Sequence, residues 1–251
     1  MRWACRVAIA IIAVLAGCAG AGGRAAAKDG SAQFDRPLTV RRLPPGTGAN
    51  PAPEVICTLY PDLMIRETGT DTPAPEAADL VRRPPGAACG RGALAGAVGL
   101  DTQGYSFAGR KGPFLLFTAT DPNGAVPFTV IDAATGRVIH RDGLAAGTTF
   151  HAVVRGGGTL TLDFTRGVNA PCALPKDGAA CWARLGREGL IPPDLARRPP
   201  PMTACAAAYH TEKAPPDDPS VLAYDVDLRL EAAGAVQTRL TGGRVACTPL
   251  P

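Results

Sequence analysis

The chain has 251 residues, 46% of them apolar and 19% charged, with a formal net charge of +4 at pH 7. That length is ample for a hydrophobic core, and so small a charge excludes the basic surface of a nucleic-acid-binding protein. The basic pairs Arg41-Arg42, Arg82-Arg83 and Arg197-Arg198 lie beside prolines in loop-like sequence, where they serve solubility rather than phosphate binding.

The N-terminus has the three parts of a secretory signal: Arg2 and Arg6, an apolar run from Val7 to Ala16, and a zone of small residues. The run is shorter than the roughly 20 apolar residues that span a bilayer. Leu15-Ala16-Gly17-Cys18 resembles the lipobox of bacterial lipoproteins. The resemblance implies that residues 1–17 are removed and that Cys18 is acylated on its thiol and its new amino terminus, a firm membrane anchor. Ala19 after that cysteine implies sorting to the outer membrane, facing the periplasm. Ordinary cleavage after Ala19-Gly20-Ala21, giving a soluble periplasmic or secreted protein, is the alternative.

Residues 18–54 are dominated by alanine, glycine and proline, with little apolar surface to offset the entropy of ordering. The stretch reads as a flexible tether, with Leu38-Thr39-Val40 as one short edge strand. A single β-rich domain is expected over 55–251. It opens on the β-branched segment Val55 to Tyr60, continued by Leu63 to Glu67 after a Pro61-Asp62 turn. Residues 68–92 read as a proline- and glycine-bearing loop.

From Tyr105 to Phe164 the strand signals are strongest. Phe114 to Ala119 is a near-continuous apolar run ended by Asp121-Pro122-Asn123-Gly124. Phe128 to Asp132, a loop ending at Gly136, and Arg137 to His140 complete a meander. Thr148 to Val154 and Thr159 to Phe164, joined through Gly156-Gly157-Gly158, predict a hairpin. A short helix is expected over 179–188, stopped by Pro192-Pro193. Tyr224, Val226, Leu228 and Leu230 alternate with Asp225, Asp227 and Arg229, the mark of a strand with one wet face. Residues 235–240 and 244–247 pair back onto it. No repeat of about 40–50 residues is present, which excludes a propeller.

Apart from Cys5 and Cys18, the chain holds Cys57, Cys89, Cys172, Cys181, Cys205 and Cys247. An even set in an exported chain reads as disulfides, and no CxxC pair suggests metal. Nearest-neighbour pairing, Cys57 with Cys89, Cys172 with Cys181 and Cys205 with Cys247, closes one loop in each local unit. The expected fold is therefore mainly β: an antiparallel sandwich or open barrel with one short helix and disulfide-stapled loops. Residues 104–139 and 218–230 also resemble stretches of exported proteobacterial proteins of uncharacterised function, which supplies no mechanism.

Candidate chemistry is sparse. The histidines are His140, His151 and His210, and the serines Ser31, Ser106 and Ser220. No serine lies in GxSxG, and no phosphate loop, dinucleotide fingerprint or HExxH appears. Asp217-Asp218 has a turn signature rather than a calcium loop. No catalytic residue, metal or cofactor is assigned. The expected function is a non-catalytic binding or envelope-interaction module held at the membrane by its N-terminal lipid, its envelope protein or small-molecule partner unspecified. The alternative is an exported hydrolase or metal-binding protein using His140, His151 and nearby carboxylates. Tyr105, Phe107 and Trp182 are candidates for a ligand surface, although aromatic residues at such positions are more often core.

Overall fold

A computed structural model of the chain describes residues 33–47, 51–69, 74–82, 88–120, 123–231 and 233–250. The signal segment, Cys18 and the turn residues Asp121-Pro122 lie outside the described residues. The fold is mainly antiparallel β, in two sheets.

The first sheet is a five-stranded meander: β1 (Thr39–Leu43), β2 (Glu54–Leu59), β3 (Leu63–Gly69), β4 (Ala77–Arg82) and β5 (Ala97–Leu100), neighbours in sequence pairing in turn. β1 overlaps the short edge strand expected at 38–40 and runs on to Leu43, inside the stretch otherwise expected to be tether. Four of its five residues are exposed, so it is ordered by backbone pairing with β2 rather than by apolar burial, which composition does not reveal. β4 likewise falls where a loop was expected.

The second sheet begins with β6 (Ser106–Lys111), β7 (Phe114–Thr118), β8 (Val126–Asp132), β9 (Val138–Leu144), β10 (Phe150–Gly156) and β11 (Thr159–Asn169). Three helices follow, α1 (Leu174–Arg187), α2 (Pro193–Ala196) and α3 (Met202–Glu212), then β12 (Ser220–Glu231), β13 (Val236–Leu240) and β14 (Ala246–Pro249). Its spine is the β11–β12 pair, in register from Thr159 opposite Glu231 to Asn169 opposite Val221. Each outer edge of that spine is shared by two shorter strands, β10 and β9 on one side and β13 and β14 on the other. The β10–β11 turn is Gly157-Gly158, both at positive φ, the two-residue hairpin geometry that glycines favour. Where β9 crosses β11 the backbones touch: a Cβ on Gly167 would run into the Leu144 carbonyl oxygen.

Where one helix was expected there are three. α1 contains Gly178 in a non-helical conformation (φ 49°, ψ −122°), so its regular part starts where the helix was anticipated. α3 sits in the proline-rich stretch around Cys205. Its run of alanines has high helix propensity, but only Cys205 and Tyr209 are buried, leaving too thin an apolar stripe to read as amphipathic.

β7 is closed on both faces. Phe114 and Leu116 point into a core with Phe128, Val130, Phe150, Leu162 and Phe164, against which α1 and α3 also pack. Leu115 and Phe117 point the other way, joining Ile131 and the first sheet's Leu63, Ile65 and Leu80. Within the first core Phe128, Phe150 and Phe164 meet edge to face, with centroids 5.2–5.8 Å apart. The second sheet curls until β6 lies against β10, and Gln33–Asp35 fills the seam. Gln33 Nε2 donates to the Phe150 carbonyl (2.8 Å) and Asp35 N–H to the Arg110 carbonyl (2.8 Å). Phe34 packs over Gly109, where a Cβ would come within 2.5 Å of its ring.

The disulfides join Cys57 to Cys89, Cys172 to Cys181 and Cys205 to Cys247, with Cα atoms 5.9, 5.8 and 4.8 Å apart. The first ties the loop after β4 over the outer face of the first sheet, where Arg66 donates to Asp79 Oδ2 (2.5 and 3.0 Å) and to the Gly92 carbonyl (2.6 Å). The others fasten α1 and α3 to the second sheet's core.

Because β7 walls both cores, Phe117→Ala is expected to destabilise the protein by about 3–5 kcal/mol, lowering its urea midpoint. Leu38→Ala, at a residue 62% exposed, should change stability by no more than about 0.5 kcal/mol.

Candidate functional site

The two sheets pack tightly where Leu63, Ile65 and Leu80 meet Leu115 and Phe117. Toward β1 the first sheet extends past the second, whose edge strand there is β6. Antiparallel register sets the side chains of that overhang in rows: Arg42, Ile56 and Glu67 across β1, β2 and β3, and beside it Val40, Thr58 and Ile65. Above these rows lies a cleft of about 890 Å³, closed at its sides by Phe34–Pro37 and by Ser106–Gly109 of β6.

Glu67 is the unusual member. It is only 8% exposed, and its Oε1 accepts the Phe107 N–H at 2.7 Å, a bond from one sheet to the other. No basic side chain pairs with it among the described residues. Burial pushes its carboxyl above the ordinary value, only partly countered by the Phe107 N–H. Two nearby cations are engaged elsewhere. Arg42 pairs with Glu54 at the rim (3.1 Å). Arg110 donates to both Asp62 oxygens (2.5 and 2.8 Å) and to the Gly112 carbonyl (2.5 Å), with its guanidinium 5.1 Å from the Tyr60 ring centre. Arg110 thereby holds the Asp62 carboxyl below its usual range, while burial pushes the Tyr60 phenol up to about 12. Tyr60 and Phe107 stand edge to face at 6.4 Å.

The histidines singled out in the sequence sit in separate hydrogen-bond networks. His140 Nε2 lies 3.3 Å from Asp142 Oδ2, which also receives the Arg166 guanidinium, in a smaller pocket that includes Thr238 and Asn169. The buried Tyr224 OH lies beside the Arg166 guanidinium. His151 Nε2 lies 3.0 Å from Thr165 Oγ1, whose hydroxyl donates to Asp225 Oδ1 at 2.8 Å. Among the described residues no three His, Cys, Asp or Glu side chains converge as a metal site.

The remaining candidates have structural places. Ser220 is fully buried, accepting the Leu174 N–H (2.9 Å) and sharing a hydrogen bond with Tyr209 OH (2.8 Å). Trp182 is core, its Nε1–H donating to the Arg198 carbonyl (2.8 Å). Asp217 is an exposed partner of Lys176. Ser106 and Phe107 line the cleft, and Tyr105 packs against the inter-sheet core. Comparison with family models, curated proteins and solved structures finds no match, so the site's geometry carries the functional argument alone. Sequence reasoning missed Glu67, although a signal was present: it shares a face with Leu63 and Ile65, an acid continuing an apolar row.

A carboxyl whose pKa is raised by folding favours the folded state fully below its unfolded value, and that contribution is lost as pH rises through the folded value. Glu67→Gln retains an oxygen to accept from Phe107 and removes the buried charge. The variant should therefore be as stable as the parent below pH 4.5, the ordinary value for Glu67, and more stable at neutral pH. Urea unfolding of both proteins across that range checks the sign; a variant less stable at neutral pH would show the ionised carboxylate to be stabilising.

Proposed function

We propose that this chain is an exported, lipid-anchored, non-catalytic binding module of the cell envelope, facing the periplasm from the outer membrane, that takes its ligand between its two β-sheets. The observation that carries the reading is the cleft itself: about 890 Å³ of open space between sheets otherwise packed face to face, within the size range of small-molecule sites. Disulfides staple both sheets, Cys57–Cys89 the first and two further bridges the second. Disulfides persist in oxidising compartments, which agrees with export, and the lipobox-like Leu15 to Cys18 supports the anchor.

A second reading, an exported hydrolase, draws on the His140–Asp142 contact, where a carboxylate orients an imidazole as in general-base catalysis. Replacing all three histidines by alanine should leave partner or ligand capture intact under the binding reading, whereas the hydrolytic reading requires that serine-directed probes label the purified protein or that it carry stoichiometric metal.

Intact and peptide-level mass spectrometry of unreduced protein from its own envelope tests anchor and export together. The expected result is a mature chain starting at diacylated or triacylated Cys18 with three disulfides. An unmodified terminus after Ala21 would replace the anchored protein by a soluble one, and free thiols would remove the argument for export.

A further inference from the structure

Resting on the binding reading above, we infer that the cleft between the sheets receives a molecule with an apolar body and a cationic nitrogen head, the head seated at Glu67. The charge distribution is the first argument. Arg42 is drawn to Glu54 at the rim, Arg110 is held by Asp62, and Arg36 lies exposed at the mouth. Asp35 is fixed by the Gly112 N–H, which it accepts at 2.6 Å. Glu67 is thus the most buried charged group lining the cleft, and among the described residues it has no counter-charge.

A carboxylate removed from water without a cation is strongly disfavoured. An apolar residue at this point of the row would extend the Leu63–Ile65 core and close the cleft. An ammonium head provides both what Glu67 lacks, a positive charge and further N–H donors, and what an anionic or uncharged head cannot. The walls agree. Phe34, Tyr60 and Phe107 line the cleft alongside Glu67, and Val40 and Ile56 add apolar surface for the ligand's body. Burial raises the Glu67 carboxyl, so a bound cation should bring it back down. Affinity should then rise with pH through the Glu67 titration. The other charged or titratable groups facing the site are Asp35, Arg36, Arg42, Glu54 and Tyr60.

Octylammonium, octanoate and octanol share one alkyl body and differ in head group. Isothermal titration of each into the full chain purified from the envelope, with detergent alone as blank, isolates the head. At neutral pH octylammonium should bind at least about tenfold more tightly than the other two, a difference of about 1.4 kcal/mol. Glu67→Gln should erase that preference, and Ala108→Trp, which places bulk on the β6 wall, should weaken all three. If the three bind alike, or the preference survives Glu67→Gln, the head-group inference is overturned while the binding reading stands. If none binds, both fall. Should Glu67→Gln fail to fold, parent titrations from pH 4 to 7 decide: octylammonium affinity rises with pH and octanol affinity does not, and parallel behaviour overturns the inference.

Discussion

One strand has to satisfy two cores at once. Phe114, Leu115, Leu116 and Phe117 are all shut off from solvent, alternate members facing opposite ways, so β7 walls both the curled second sheet and the space between the sheets. Each such side chain contributes about 1.5–3 kcal/mol of burial, and a shift of β7 by one residue would exchange the contents of both cores. The remaining elements are arranged around that register. β8 repeats the division with Phe128 and Val130 on one side and Ile131 on the other. The cleft lies where this two-faced wall gives way to edge strand β6, which has no comparable row of large side chains to offer the first sheet.

Covalent and polar links divide the labour. Each disulfide acts within one sheet and its attachments, and none crosses between the sheets. The crossing is made by the inter-sheet core and by polar ties, among them Arg110 to Asp62, the Phe107 N–H to Glu67, Arg82 to the Ala134 carbonyl and Arg141 to Asp101. The first of these lies at one end of the β2–β3 hairpin and the second near the other, on the side of the cleft. Glu67 therefore holds a conflict of its own: its cross-sheet bond calls for burial, which a charged carboxylate resists.

Much of the second sheet was legible in the sequence because its patterns are local. The Phe114–Phe117 run, the Gly157-Gly158 turn and the Tyr224–Leu230 alternation each declare their element within a few residues. The three cysteine pairs were legible for the same reason. β1 was legible only in part, as a short edge strand at 38–40, and β4 not at all, since a strand with exposed or mixed faces is specified by the neighbour it pairs with rather than by its own pattern. α3 was hidden by its small residues, in which helix propensity is high but periodicity faint. The site was least visible of all. Arg42, Ile56 and Glu67 form a row only through the registers of two hairpins, and Phe34 joins them from a stretch whose composition suggested no structure.

That stretch has a spatial consequence. Gln33–Asp35 plugs the β6–β10 seam, and the next residues form one side of the cleft, so the chain enters the fold beside the cleft's mouth. About 15 residues separate Cys18 from Gln33, and fully extended they reach about 50 Å. Were Cys18 held in a bilayer, as proposed above, that distance would set the upper limit of a leash. The mouth would patrol a thin layer above the headgroups, where amphiphiles leaving or entering the membrane are concentrated, rather than the full depth of the aqueous compartment.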